Sequence, residues 1–175
     1  MTTAGVGAAG TSRVLEVLEE VVLVASAAGR EVLLEHEALA LVGALGFRVP
    51  AHAVLANSSE VATLDLAELG GPRLVLKGLA EGLLHKTELG AVRILPAAAA
   101  TLVDEIDAMA GRLKEAGLTP AGFLVLAFVE HDHDPGGKLL LSLRHSREFG
   151  PLVTLGLGGV AAELLGSALD PRSGP

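Results

Sequence analysis

A lysine at the end of a predicted strand is the first residue whose type and position point to chemistry. Residues 73–77 form a short, mostly apolar run, Arg-Leu-Val-Leu-Lys, with glycine and proline before it and glycine after it. Such a run predicts a buried strand that ends at Lys77. An ammonium fixed in this way can bind a phosphate. Three glycines in the following loop leave room for the backbone to approach a ligand: Gly78, Gly82 and Gly90.

His85 lies in that loop, directly before Lys86. A neutral imidazole can act as a general base, a metal ligand or a phosphoryl acceptor near physiological pH, because one ring nitrogen keeps its lone pair. The alternative is a solvated loop in which neither side chain has a role. Spacing alone leaves both interpretations open.

A glycine-rich turn near the end of the chain is the second candidate. Gly156, Gly158 and Gly159 lie at the end of a predicted strand over residues 152–157, and Glu163 follows. Successive backbone N–H groups in such a turn can bind an anion, and a nearby carboxylate can hold the Mg²⁺ that accompanies a nucleotide. Glycines at strand ends also form simple tight turns, so the pattern alone fits either interpretation.

The segment His131-Asp132-His133-Asp134 is a third candidate, as a metal site. Alternate side chains of an extended segment point the same way, so the imidazoles would lie on one face and the carboxylates on the other. That arrangement does not surround a metal ion. We therefore favour a solvated hairpin.

The composition limits the partners and the location. The chain has 175 residues, a formal net charge of -8 and no cysteine. Its 13 lysines and arginines are scattered, which argues against a nucleic-acid partner. The absence of cysteine excludes disulfides and zinc–thiolate sites. The first residues do not resemble a secretory signal, and the apolar stretch 149–162 is short and broken by glycines and a proline. We expect a soluble, cytoplasmic protein that does not bind a membrane.

Apolar residues at helical spacing predict three long helices, over residues 13–28, 33–45 and 96–116. Gly46 is placed to end the second of them in the left-handed conformation. The predicted inward faces of the first and third helices are Leu15, Leu18, Val22 and Ala25, and Leu102, Ile106, Met109 and Leu113.

Short apolar runs predict the strands of the fold. They cover residues 53–56, 73–77, 92–95, 123–129, 138–143 and 152–157. Residues 130–137 predict a hairpin between the fourth and fifth strands. Asn57 and Glu60 form a capping-box pattern that predicts a short helix before Gly70. Helices that alternate with strands, together with 22 glycines, indicate a mixed α/β fold.

Three segments together resemble a known family. In chain order they are LLEHEALALVGALGFRVP, LVLKGLAEGLLHKTELGAVRI and PGGKLLLSLRHSREFGPLVTLGLGGVAAELL. They resemble the ATP-grasp domain of NDP-forming acyl-CoA synthetases, whose best-known member is ADP-forming acetyl-CoA synthetase. The resemblance covers about residues 15–166, and HKTELGAV and EFGPLVTLGLGG are its most specific motifs.

The resemblance implies an ATP-grasp fold, with two small mixed α/β (α+β) lobes and a nucleotide cleft. We expect a disordered segment over residues 1–12, an ATP-grasp domain over 13–170 and a tail over 171–175. Lobe one would cover about residues 30–120. Lobe two would cover about residues 121–170 and would lack its C-terminal part.

The resemblance also implies roles for individual residues. In the family a phosphoryl group moves between an acyl phosphate and ADP by way of histidines, with ATP or ADP and Mg²⁺ bound. Lys77 would contact the nucleotide phosphates, His85 would accept the phosphoryl group and Glu163 would bind Mg²⁺. The other nucleotide-binding positions would be Val125, Val129, Gly156, Gly158 and Gly159.

Several positions depart from the family pattern. Leu126 and Ala127 stand where the family has a polar Gln-Glu pair at the nucleotide hinge, and Leu139 stands where it has a glutamate. Residues 146–148 replace the common Asp-Pro before Phe-Gly. The CoA-binding and acyl-binding modules are absent, which implies an α-type CoA-binding subunit as the partner.

Three functions follow from the resemblance. The first is a component of an acid–thiol ligase of the ADP-forming acetate–CoA ligase type. The second is a degenerate ATP-grasp module without turnover, regulatory or scaffolding, which Leu126, Ala127 and Leu139 favour. The third is a carboxylate–amine ligase, which the pair His85-Lys86 disfavours because such enzymes need no phosphohistidine.

Overall fold

The computed structural model describes residues 8–83, 89–132 and 137–159, apart from the side chains of residues 8, 9, 144 and 145. The chain divides into two units, Met1–Phe128 and Val129–Pro175. The helices and strands of the first unit, together with the two strands described in the second, confirm the predicted mixed α/β fold class.

The first unit contains one antiparallel sheet and the helices that pack on it. Its helices are α1 (Ala8–Ala27), α2 (Glu35–Ala44), a 3-10 helix (Ser58–Thr63), α3 (Leu66–Leu69) and α4 (Ala99–Glu115). Its strands are β1 (His52–Leu55), β2 (Arg73–Leu79), β3 (Val92–Pro96) and β4 (Gly122–Ala127). The strand order is β1-β4-β2-β3, with β4 and β2 in the interior. These two strands contain the most buried residues, as expected for strands that are covered on both faces.

The helix α4 and the sheet form the main core. Along β2, Leu74 and Leu76 point to the α4 face, while Val75 and Leu79 point to the opposite face. This alternation follows from the two-residue period of a strand. The predicted inward face of α4 is confirmed, since all four of its residues are buried in this core: Leu102, Ile106, Met109 and Leu113.

The helix α2 covers the opposite face of the sheet, where Leu39 packs against Leu79, Leu124 and Leu126. The helix α1 packs against α2. Neither α1 nor any other helix in the described ranges is long and apolar enough to cross a membrane.

The predicted inward face of α1 is confirmed at Ala25 and wrong at its other three residues. Its buried residues are Val17, Val21 and Ala25, whereas Leu15, Leu18 and Val22 are exposed. Apolar residues extend around most of this helix, so their spacing does not select one face.

Several element boundaries differ from the prediction. The helix α1 begins at Ala8, so residues 8–12 are helical and not disordered. Pro96 ends β3, and α4 begins only at Ala99. Residues 58–69 form a 3-10 helix followed by α3, with Asn57 capping the first as predicted. Gly46 also adopts the predicted left-handed conformation, with φ of 91°.

The second unit contains β5 (Leu139–Ser146) and β6 (Gly150–Leu157), which form an antiparallel ribbon. The Ser146 hydroxyl accepts hydrogen bonds from the backbone N–H groups of Glu148 and Phe149, which fixes the tight turn between the strands. The predicted hairpin of β4 with β5 is wrong, because β4 pairs with β1 and β2. Both edges of β4 are therefore occupied, and the first unit ends at Phe128, after β4.

Candidate functional site

Lys77 lies inside β2, next to Val92 on β3 and Leu124 on β4 in the strand register. The strand alternation places it on the sheet face opposite α4, as it does Val75. Its side chain is 25% exposed. The strand β2 continues to Leu79, so the predicted strand end at Lys77 is wrong. The phosphate-binding role of Lys77 stays a prediction.

Glu35 is the ion-pair partner of Lys77. The Lys77 Nζ donates a hydrogen bond to the Glu35 Oε1. Glu35 is the first residue of α2 and its side chain is 26% exposed. A carboxylate in the first turn of a helix is stabilised by the helix dipole. The pair thus connects β2 to the start of α2, a contact between residues 42 positions apart that sequence spacing does not reveal.

A cleft of about 510 Å³ opens beside this pair. Two segments line it, residues 29–35 before and at the start of α2 and residues 78–83 at the end of β2. The second segment leads directly into the sequence that contains His85, which lies outside the described residues. One side of the cleft is thus the segment that lies between Lys77 and the predicted phosphoryl acceptor along the chain.

Gly78, which lines this cleft, is a glycine for a packing reason that its position in the sequence does not indicate. A Cβ atom built at Gly78 would lie 2.9 Å from Leu113 Cδ1 and 3.4 Å from Met109 Sδ, both on α4. The missing side chain therefore lets α4 pack closely on β2.

A buried ion pair holds the segment before α2. The Arg30 guanidinium donates two hydrogen bonds to the Glu37 carboxylate, at 2.8 and 2.6 Å, and a third to the Val32 carbonyl at 3.1 Å. Glu37 Oε2 also accepts from the Leu34 N–H at 2.6 Å, which caps α2. The Arg30 hydrogen bonds hold the pKa of Glu37 below its ordinary value, and Glu37 raises the pKa of Arg30 in return. These hydrogen bonds therefore hold residues 30–34, which line one side of the cleft, in place.

His36 is a further residue that the sequence analysis did not single out. Burial lowers the pKa of its imidazole, and its Nδ1 is buried without a hydrogen-bond partner in the described part of the chain. The ring borders a groove of about 620 Å³ between α1 and α2.

The two valines predicted to contact the nucleotide lie in different surroundings. Val125 is fully buried in β4, where its side chain belongs to the core beneath α4 and its strand neighbours are Ala53 and Leu76. Val129 follows β4, belongs to the second unit and is 58% exposed. Between them, Phe128 lies under the Arg73 guanidinium, with 4.0 Å from Cζ to the ring centroid.

The glycine-rich turn lies in the second unit. Gly156 is opposite Leu140 in the ribbon, and the Gly158 N–H donates to the Lys138 carbonyl at 2.9 Å. A Cβ atom at Gly158 would lie 3.1 Å from the Leu139 carbonyl carbon, so the close approach of two backbones requires glycine there. Gly159 has φ of 64°. The phosphate-binding role of this turn stays a prediction.

Other predicted positions lie outside the described residues. They are His85 and Glu163, and also His133 and Asp134 of the candidate metal segment. The Nδ1 atom of His131 lies 3.1 Å from the Val129 carbonyl oxygen. Within the described ranges, no three His, Asp or Glu side chains come together in a way that could hold a metal ion.

Comparison with known sequences identifies relatives of most of the chain. Residues 24–169 match a family model described as the ATP-grasp domain. Acetate–CoA ligase [ADP-forming] I from Archaeoglobus fulgidus is 29% identical over an alignment of 135 residues, and the alignment covers 74% of this chain and 18% of the ligase.

Solved structures share the fold. PH1788 from Pyrococcus horikoshii Ot3 matches 89% of this chain and 63% of its own, with a TM-score of 0.71 and 25% identity. The dinucleotide-forming acetyl-coenzyme A synthetase 1 of Ca. Korarchaeum cryptofilum, solved with coenzyme A, Ca-AMPCP and HgCl+, matches 83% of this chain and 62% of its own, with a TM-score of 0.70 and 30% identity. With coenzyme A and Mg-AMPPCP, its phosphohistidine segment points towards the nucleotide-binding site. The chain spans less than two thirds of each of these proteins.

Proposed function

The chain belongs to the ATP-grasp domain family, and from this we propose that it is the nucleotide-binding subunit or fragment of an NDP-forming acyl-CoA synthetase. The observation that carries the proposal is the identity of the relatives. They are an ADP-forming acetate–CoA ligase and an acetyl-coenzyme A synthetase solved with nucleotide analogues. In the proposed reaction, this part relays a phosphoryl group between an acyl phosphate and ADP or ATP.

Lys77 is the described residue that supports nucleotide binding most directly. Its side chain lies on the sheet face opposite α4, and its ion-pair partner Glu35 lines a cleft of about 510 Å³. A partly buried positive charge attracts phosphate more strongly than a solvated one, because less water screens it. Lys77 would hold the phosphate oxygens as the nucleotide binds.

His85 would carry the phosphoryl group. A ring nitrogen attacks phosphorus, so that a P–N bond forms as the P–O bond to the acyl carboxylate or to ADP breaks. Transfer to the second acceptor reverses this exchange and restores the neutral imidazole. The position of His85 between β2 and β3 supports the role, because Lys77 lies on one of these strands.

Glu163 would hold Mg²⁺ with the nucleotide phosphates. Mg²⁺ keeps several waters and is usually bound by one or two carboxylates together with phosphate oxygens, so a single protein carboxylate suits it. When bound, the ion would neutralise phosphate charge.

An α-type CoA-binding subunit is the proposed partner. The chain corresponds to 18% of the A. fulgidus ligase. Acyl-CoA synthesis also needs a site for coenzyme A, and an α-type CoA-binding subunit would supply it.

A non-catalytic ATP-grasp module is the second candidate function. Leu126, one of the residues that replace the polar hinge pair, is buried against Leu79 and Leu124 on the sheet face that carries Lys77. A polar contact to the nucleotide is therefore replaced by apolar packing. Such a module would bind nucleotide without forming phosphohistidine.

Phosphohistidine formation tests the proposal against this alternative. The full chain is incubated with Mg²⁺ and ATP labelled at the γ-phosphate, and acid-labile, base-stable label is measured. We expect label on the native chain and on His131→Ala, a matched control, and none on His85→Ala. Equal label on both variants would refute the relay. Nucleotide binding without label on any chain would favour the non-catalytic module.

A further inference from the structure

Glu35 forms an ion pair with the Lys77 ammonium, the group that binds phosphate in the proposed function. We propose that Glu35 is a placeholder for the anion: it holds Lys77 when no phosphate is bound, and a phosphate must displace it to bind Lys77. Glu35 would thereby set the affinity of the site for polyphosphate. This inference rests on the proposed function, since it concerns the same lysine.

The geometry places the carboxylate where an anion would approach. Glu35 lines the cleft of about 510 Å³ together with Gly78 and Leu79, the residues that follow Lys77 in β2. The other strand neighbours of Lys77 are apolar, Val92 and Leu124. Glu35 lines the cleft whereas Lys77 does not, so an anion that enters the cleft reaches Lys77 by way of the Glu35 carboxylate.

Charge makes the two anions competitors. The pair of Lys77 and Glu35 is neutral as a whole, so it offers little attraction to a phosphate while it stays closed. Both side chains are about one quarter exposed, at 25% and 26%, so solvent screens the repulsion between Glu35 and an incoming phosphate only in part. Once released, the ammonium is available to the more highly charged polyphosphate.

If Glu35 releases Lys77, other contacts still stabilise the start of α2. Glu37 caps the helix through the Leu34 N–H and is itself held by two hydrogen bonds from Arg30. Glu35 also keeps its favourable position in the first helical turn without Lys77. The fold of this segment therefore does not depend on the ion pair, and a role as an exchangeable anion fits its position.

Chemical labelling of Lys77 tests the placeholder without requiring nucleotide binding. The full chain and its variants are treated briefly with acetic anhydride, and acetylation of Lys77 is measured by mass spectrometry at increasing concentrations of inorganic tripolyphosphate. Glu35→Gln removes the carboxylate but keeps its shape. Glu31→Gln is the matched control, because Glu31 lines the same cleft. Urea unfolding verifies that both variants are folded.

Two results are expected. Without tripolyphosphate, Lys77 is acetylated faster in Glu35→Gln than in the native chain or Glu31→Gln. With tripolyphosphate, Lys77 is half protected at a concentration about two- to fivefold lower in Glu35→Gln, the range that loss of one partly exposed ion pair supplies. Equal effects of the two substitutions, weaker protection in Glu35→Gln, or no protection in any chain would overturn the proposal.

The test separates this proposal from the proposed function. If Glu35→Gln behaves as expected but MgADP does not bind, the placeholder stands and the synthetase function fails. If MgADP binds through Lys77 but Glu35→Gln acetylates as the native chain does, the function stands and the placeholder fails.

Discussion

Glu37 is a buried carboxylate whose negative charge is compensated by the guanidinium of Arg30. Its side chain is 5% exposed and that of Arg30 is 10% exposed, with two hydrogen bonds between them. A buried charge that loses its partner keeps the cost of leaving water and loses the compensation. The pair therefore fixes residues 30–37, and with them one wall of the cleft.

Replacement of Arg30 should destabilise the protein strongly. We expect Arg30→Met to lower the free energy of unfolding by about 3–5 kcal/mol, because it leaves Glu37 buried and unpaired. The double variant Arg30→Met/Glu37→Gln should be more stable than Arg30→Met, since the neutral amide can still cap α2. Arg13→Met removes an exposed arginine that pairs with Glu16 and should cost less than about 0.5 kcal/mol. Urea unfolding measures all three, and a small effect of Arg30→Met would contradict the structural role.

His36 should make stability depend on pH. Burial lowers the pKa of His36 below its ordinary value of 6.5; the charges of Arg30 and His52 act in the same direction, while Glu37 opposes them. The unfolded chain then takes up the proton at a higher pH than the folded chain. The stability that neutral His36 contributes is thus present above about pH 6.5 and is lost as pH falls through the folded pKa.

Urea unfolding at pH 7.5 and pH 5.0 should show this loss. The native chain should lose more stability between these two conditions than His36→Gln, which has no imidazole to protonate. An equal change in both proteins would show that burial of His36 does not affect its protonation.

At the level of secondary structure, the contact between β2 and α4 depends on Gly78. We expect Gly78→Val to destabilise the protein by about 1–3 kcal/mol, because the added atoms meet Leu113 and Met109 in a packed core. Gly111 on α4 is the matched control. A Cβ at Gly111 meets no atom within 4 Å, so Gly111→Ala should stabilise the helix by about 0.5–1 kcal/mol. If Gly78→Val and the native chain have the same midpoint of urea unfolding, α4 does not pack closely on β2 at Gly78.

The helices show what periodicity can and cannot predict. In α4 the apolar residues occupy one stripe between charged residues, and the predicted inward face is confirmed. In α1 they extend around the helix, so Leu15, Leu18 and Val22 were expected inside but are exposed. The pairing of β4 was also missed, because a run that is buried on both faces does not indicate its neighbours.

The site shows the same limit for side-chain contacts. The apolar run 73–77 predicts a strand that ends at Lys77, but β2 continues to Leu79 and Lys77 lies inside it. Its partner Glu35 is 42 positions away, and the pair of Arg30 with Glu37 forms only when the segment before α2 folds back on the helix. No local pattern encodes such contacts. The sequence predicts that Gly78 leaves room for a ligand, but the close packing of α4 on β2 also requires a glycine at this position.

At the level of the whole molecule, the two units should differ in independent stability. Both apolar clusters lie in residues 1–128, whereas the described part of the second unit is a two-stranded ribbon with most large apolar side chains exposed. A two-stranded hairpin is marginally stable alone. A fragment of residues 1–128 should therefore unfold cooperatively in urea, as followed by circular dichroism, and a fragment of residues 129–175 should not. A cooperative transition of the second fragment alone would contradict this.

Calorimetric titration of the full chain with MgADP tests the central claim of a nucleotide site built on Lys77. The chain carries a formal net charge of -8, so an anionic nucleotide must bind through local positive charge. We predict saturable binding to the native chain and to Lys114→Met, which removes an exposed lysine of α4, and loss of binding in Lys77→Met. Absence of binding to the folded native chain, or unchanged binding to Lys77→Met, would contradict the claim.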